Sequence, residues 1–185
     1  MKVVWRKVKI GDVCETSLGK MLDTKKNKGK MHCYLNNVAV RWGTFDLSNL
    51  PEMCFTQDDK NRYTIKRGDV VICEGGEPGR CAIWKSDEPI FFQKALHRIR
   101  MKEGLFNEYF YYSFRHLVMS GATRKYETGS TIRHLSRQSL NQIDIHIPPQ
   151  EVQRKIAKIL SSIDDKIEVN TKINHNLEEQ AKALF

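Results

Sequence analysis

The spacing of apolar residues changes at Pro149. Before it, short alternating or continuous apolar runs are broken every few residues by Gly, Pro, Asn or Asp, the pattern of strands and turns. After it there is no Gly and no Pro, and Ile156, Ile159, Leu160, Ile163, Ile167, Ile173, Leu177, Ala181 and Leu184 recur at helical spacing. Positions 156, 163, 170, 177 and 184 are seven apart and read Ile, Ile, Asn, Leu, Leu. This predicts a single helix with an apolar stripe about 100° wide and a length of roughly 50 Å. A small domain can be covered by a shorter helix. Ile156, Leu160, Ile163, Ile167, Asn170, Ile173, Leu177 and Leu184 are therefore expected to pair with another helix, antiparallel, and a fold-back onto the chain's own domain is the alternative. Asn170 favours pairing, because a lone Asn in an apolar seam fixes register at some cost in stability.

The preceding residues predict a mixed head. Val4–Ile10 alternates apolar and basic before Gly11-Asp12, as a short strand would. Residues 20–30 hold five lysines and one Asp with no apolar period, which predicts a mobile basic loop. Tyr34–Val40 suits a strand, and Tyr63–Lys66 and Val70–Cys73 suit two strands around a tight turn at Arg67-Gly68-Asp69. Glu74-Gly75-Gly76-Glu77-Pro78-Gly79-Arg80 then leads into a strand at Cys81–Trp84, and residues 90–100 are extended in character. Asn107–Met119 crowds Tyr109, Phe110, Tyr111, Tyr112 and Phe114 at the spacing of a buried helix. Residues 121–137 are basic and hydroxyl-rich, and Leu140, Ile143, Ile145 and Ile147 close the head with a strand pattern. The expected fold is α+β: a mixed α/β head over residues 1–148 and a long pairing helix over 149–185.

Charge sharpens this division. The chain carries 31 Lys and Arg against 22 Asp and Glu, net +9. From residue 150 onward six basic residues meet six acidic ones, so the whole excess lies on the head. A basic head on a neutral helix suggests a polyanion for the first and a protein for the second. By loop position and chemistry, Lys20, Lys25, Lys26 and Lys28 are candidates for phosphate contacts. Arg41, Arg80, Lys94, Arg124, Thr131 and Arg133 are candidates for groove contacts. Five cysteines without a C-x-x-C pair, and an N-terminus lacking a hydrophobic signal core, point to a reducing cytoplasm. No run is long enough to span a membrane, and no spacing suggests a metal site.

Catalysis finds little support. The Gly-rich loop enters a strand and lacks the Lys-Ser/Thr of a phosphate-binding loop. Asp58-Asp59-Lys60 and Asp164-Asp165-Lys166 superficially offer the carboxylates of a metal-dependent nuclease, which stays open as a rival reading, although both suit solvated charge better. A protein-binding adaptor with an incidental basic surface is a second rival. Trp42 and His97 are expected to be structural.

Four patterns occur in an order that resembles the specificity subunit of Type I restriction-modification systems. They are Trp5-x-x-Val8-x-Ile10-Gly11-Asp12; Gly68-Asp69-Val70 with Cys73-Glu74-Gly75-Gly76 and Gly79-Arg80; Thr128-Gly129-Ser130-Thr131-Ile132; and Ile147-Pro148-Pro149 with Gln153, Ile156-Ala157 and Leu160–Ile167. The resemblance implies a target recognition domain that reads half of an interrupted site on double-stranded DNA. It also implies a spacer helix that docks methyltransferase subunits and, through them, restriction subunits. S-adenosylmethionine is expected on the methyltransferase partner, with no cofactor and no catalysis in this chain. Full subunits carry two recognition domains and two such helices. One of each here implies a half-subunit that forms a homodimer, or a piece of a longer chain.

Overall fold

A computed structural model describes residues 4–23 and 27–184. Its centre is an antiparallel sheet in the order β2 (Cys14–Leu18), β9 (Leu96–Met101), β6 (Val70–Cys73) and β7 (Cys81–Ile83). Both faces of this sheet are covered, so all four residues of β6 are buried. Val70 and Ile72 face one core with Phe110 and Phe114 of α3 (Asn107–Met119), while Val71 and Cys73 face another with Leu35, Ala82, Trp84 and Phe92. The side-chain period of two thus places one continuous apolar tetrapeptide in two cores. The second core is closed by a mixed sheet, β4 (Glu52–Phe55), β3 (Lys30–Leu35), β8 (Ile90–Phe92) and β5 (Thr64–Ile65), in which β3 and β8 run parallel. A two-stranded pair of β1 (Arg6–Lys9) and β10 (Asp144–Ile147) adds Ile145 and Ile147 to the α3 side.

Several local expectations change in the fold. Residues 64–73 do form two strands about a turn, but β5 pairs with β8 and β6 with β7 and β9, so the turn crosses between sheets and is no hairpin. The Asp69 carboxylate holds that crossover: it accepts the Lys66 N–H at 2.8 Å and two bonds from the Arg100 guanidinium on β9, at 2.8 and 2.6 Å. The expected strand at 34–40 instead ends at Leu35, where the Asn36 side-chain Oδ1 accepts the Ala39 N–H at 2.9 Å and turns the chain. The extended stretch 90–100 breaks at a Lys94-Ala95 turn, again to change sheets. The short helices α1 (Ile10–Val13), α2 (Gln57–Arg62) and α4 (Arg137–Asn141) connect these layers.

The last helix, α5, runs from Gln150 to Leu184. Its first turns pack on the head: Gln153 and Ala157 are buried, and Ile156 lies against the α3 core. Beyond Asp164 every described residue is exposed.

Candidate nucleic-acid interface

Antiparallel pairing brings one end of the central sheet together from four distant stretches. β2 ends at Leu18, β9 begins opposite it, β6 ends at Cys73 and β7 begins at Cys81. Backbone hydrogen bonds continue this row into the connecting loops. The Lys94 N–H donates to Lys20 O at 2.9 Å, Glu74 N–H to Ala95 O at 3.0 Å and Leu135 N–H to Glu74 O at 2.7 Å. Thr128 and His134 then bond each other in both directions, closing the loop Thr128–His134.

The glycines make this interlock possible. A Cβ on Gly75 would sit 2.8 Å from the His134 Nδ1, and one on Gly129, where φ is +94°, would sit 2.2 Å from the Ile132 carbonyl oxygen. Two glycine-containing stretches more than fifty residues apart are therefore joined in one hydrogen-bonded rim. From it Lys94, Ser130, Thr131, Ile132, Arg133 and His134 face solvent.

His97 secures the rim from beneath. It is fully buried in β9, and its Nε2 lies 2.7 Å from Leu135 O, so the neutral imidazole donates there. Burial pushes its pKa down to about 4, against the raising effect of the Leu135 carbonyl. Trp42 is half-buried against the α3 core and donates its Nε1–H to Glu77 at 2.8 Å.

The basic candidates separate by what already holds them. Lys20 is buried; its ammonium donates to Cys54 O and to Asp59, each at 2.7 Å, and so cannot serve a phosphate. Burial pushes the Asp59 carboxyl up, but the Lys20 ammonium and the Thr56 N–H outweigh it and hold the pKa below the usual range. Arg80 is likewise turned inward: it donates to Asn37 O at 2.7 Å and Glu77 at 3.0 Å and keeps only 16% of its side chain exposed. Those two expectations are corrected by the same cause, which is a cation already taken up by groups distant in sequence.

Arg133 differs. Its pairing with Glu127 is 3.6 Å long and its side chain is 56% exposed. A pair of that kind contributes at most about 1 kcal/mol, and a stronger ligand can displace it. Arg41 is comparably loose, 3.6 Å from Asp46, and Arg124 and Lys28 are exposed, but these three lie outside the hydrogen-bonded row. Lys25 and Lys26 lie outside the described residues.

Three of the four paired carboxylates are occupied too, and Asp58 is exposed. Asp59 completes the capping box of α2, and Asp164 accepts the Tyr112 hydroxyl at 3.0 Å with Arg115 at 3.7 Å, so Asp164 is not the solvated charge expected of it. Asp165 lies 3.7 Å from Lys85. Among the described residues no three His, Cys, Asp or Glu side chains are grouped to hold a metal ion, and no helix is long and apolar enough to cross a membrane.

Sequence reasoning missed the role of Gln153. Its Oε1 accepts the Phe106 N–H at 3.1 Å, and its Nε2 donates to Gly104 O at 3.1 Å and Pro148 O at 2.9 Å. The signal was a polar residue three and four positions before Ile156 and Ala157, on the packed face of the helix.

These features define a class of protein: an α+β head with a hydrogen-bonded, basic loop rim and a long helix that leaves an apolar stripe uncovered. Residues 2–179 match the family model of the Type I restriction modification DNA specificity domain, and the chain belongs to that family. The chain is 34% identical over 192 residues to the Type I restriction enzyme MjaIX specificity subunit of Methanocaldococcus jannaschii, covering 98% of this chain and 43% of that protein. A 75-residue stretch is 37% identical to the HindI specificity subunit of Haemophilus influenzae, covering 37% of this chain and 16% of that one. The fold matches a chain from a solved type I R-M system with a TM-score of 0.70 at 18% identity, over 97% of this chain and 43% of the other. It also matches the S subunit of M. genitalium with a TM-score of 0.64 at 17% identity, over 90% and 41%. The chain thus spans less than half the length of these relatives.

Proposed function

We propose that this chain is a DNA-reading unit of a Type I specificity subunit. The head reads one half of a two-part target on double-stranded DNA. α5 sets the distance to a second head and docks methyltransferase subunits, through which restriction subunits join. Methyl transfer belongs to the methyltransferase partner, which brings S-adenosylmethionine; this chain supplies recognition. The observation that carries the reading is the rim itself: exposed Lys94 on one loop, and exposed Thr131 and Arg133 on another, stand along one hydrogen-bonded edge of a head that holds the whole +9 excess. Exposed Arg and Thr suit base edges and phosphates.

The second head comes from a second copy of this chain or from a second domain of a longer subunit. Ile163, Ile167, Ile173 and Leu177 are each about half exposed or more, a stripe that another helix would cover. The homodimer is the form we propose for the chain as given, its helices antiparallel about Asn170.

DNA binding by the head tests this. Arg133→Ala should relax discrimination at one base position by about 1–3 kcal/mol if it reads a base edge. Lys28→Ala should weaken binding to all sequences alike and flatten the salt slope by about 0.9. Affinity for duplex DNA that does not respond to salt would reject the reading.

A further inference from the structure

We propose that Asp164, gripped by Tyr112 and Arg115, is the second point of a latch that fixes the angle between head and α5, and thereby the number of unread base pairs in the target. The proposal rests on the two-part reading above and adds to it the residues that calibrate the spacing.

The first point of the latch is Gln153. Its side chain meets three backbone groups, from residues 104, 106 and 148, and is 1% exposed. One such point fixes where the helix begins but lets it pivot. Asp164 lies eleven residues further along, about 16 Å up the helix axis. There it accepts the Tyr112 hydroxyl at 3.0 Å and faces Arg115 at 3.7 Å, both on α3, while Lys85 approaches the neighbouring Asp165 at 3.7 Å. Tyr112 is held protonated at this contact, its pKa raised by burial and by the Asp164 carboxylate. Beyond Asp165 α5 makes no hydrogen bond or ion pair to the head among the described residues, although Ile167, Glu168, Thr171 and Lys172 still line the cleft that it forms with Trp42, Thr44 and Lys85.

A second point matters because a helix held only near its start acts as a lever. From Gln153 to Leu184 is about 46 Å of helix. With play of about 1 Å at Asp164, the far end moves about 3 Å, just under the 3.4 Å rise of one base pair. If the hold ends instead at Leu160, the last half-buried apolar residue before Asp164, the arm shortens to about 10 Å. The same play then moves the far end by about 4 Å, more than one base pair. The Asp164 contact therefore decides whether the ruler resolves single base pairs.

Methylation mapping in cells that carry the full chain and its methyltransferase partner provides the test. Wild type should give two half-sites at one fixed gap. Asp164→Ala should keep the same half-sites and methylate gaps one base pair longer and shorter alongside the original. Asp164→Asn, which can still accept the Tyr112 hydroxyl, should restore the single gap. Tyr112→Phe removes that hydrogen bond without removing the ring, so the same broadening is expected even if Asp164→Ala melts too low to assay. A single unchanged gap in a folded Asp164→Ala or Tyr112→Phe protein overturns the latch. So does complete loss of methylation by a variant that melts with wild type. A contiguous target for wild type would reject the two-part reading itself, a result distinguishable from failure of the latch alone.

Discussion

At the scale of single residues, the sign of a charge says little about its job until its neighbours are known. Lys20 and Arg133 are both loop cations in a basic head, yet one is buried against Asp59 at 2.7 Å and the other is held only loosely at 3.6 Å. Lys20→Ala leaves Asp59 half-enclosed without its counter-charge and the Cys54 carbonyl without its donor. We expect a loss of about 2–3 kcal/mol in chemical denaturation, with unchanged DNA affinity for the folded protein. Reduced DNA affinity at full stability would return Lys20 to the ligand-facing set. His97 makes a pH-dependent contribution. Its folded pKa, about 4, lies below the ordinary 6.5, so the unfolded chain binds the proton more readily. The stabilisation is complete above pH 6.5 and falls by up to about 3 kcal/mol as pH drops to about 4. Melts across that range should show the slope, and His97→Gln should flatten it.

Among the elements, α5 has two different stretches under one apolar pattern. Ile156 packs on the head, whereas Ile163, Ile167, Ile173 and Leu177 stand open to solvent. Regular helical spacing cannot separate the two, because the helix presents the same period to its own domain and to a partner. Asn170 sits within the open stretch. Asn170→Leu should tighten self-association while loosening orientation or stoichiometry, as removal of a polar seam residue does. Light scattering on the intact chain and on residues 1–148 checks this. An intact chain that stays monomeric at tens of micromolar, or a truncated head that dimerises, would contradict pairing through α5.

For the whole molecule, two identical heads on antiparallel helices would be related by a two-fold axis. DNA bound across that axis must present the same half-site on each strand, so the target should be an interrupted palindrome with a fixed gap. One added base pair both lengthens the span and rotates one half-site by roughly 35°, so tolerance should be less than one base pair. Two unlike half-sites would mean that the second head belongs to a longer chain or a different partner. A lone half-site should bind far more weakly, since the tether supplies the second contact at high effective concentration.

The amino-acid sequence determined what depends on local pattern: the α3 helix with its buried aromatics, the long helix after Pro148-Pro149, most strand positions, the basic head and the family resemblance. Propensity and period act over neighbouring residues, so these features were legible without a fold. Only the tertiary structure decided which strands pair, because Thr64–Ile65 and Val70–Cys73 look like a hairpin until Asp69 is seen bound to Arg100 across the central sheet. It also decided which cations remain free and which polar residues hold α5. Those outcomes depend on partners far away in sequence: Lys20 on Asp59, Arg80 on Asn37, and Asp164 on Tyr112. A side chain's availability is set by the groups that reach it in space, and no spacing along the chain records that distance.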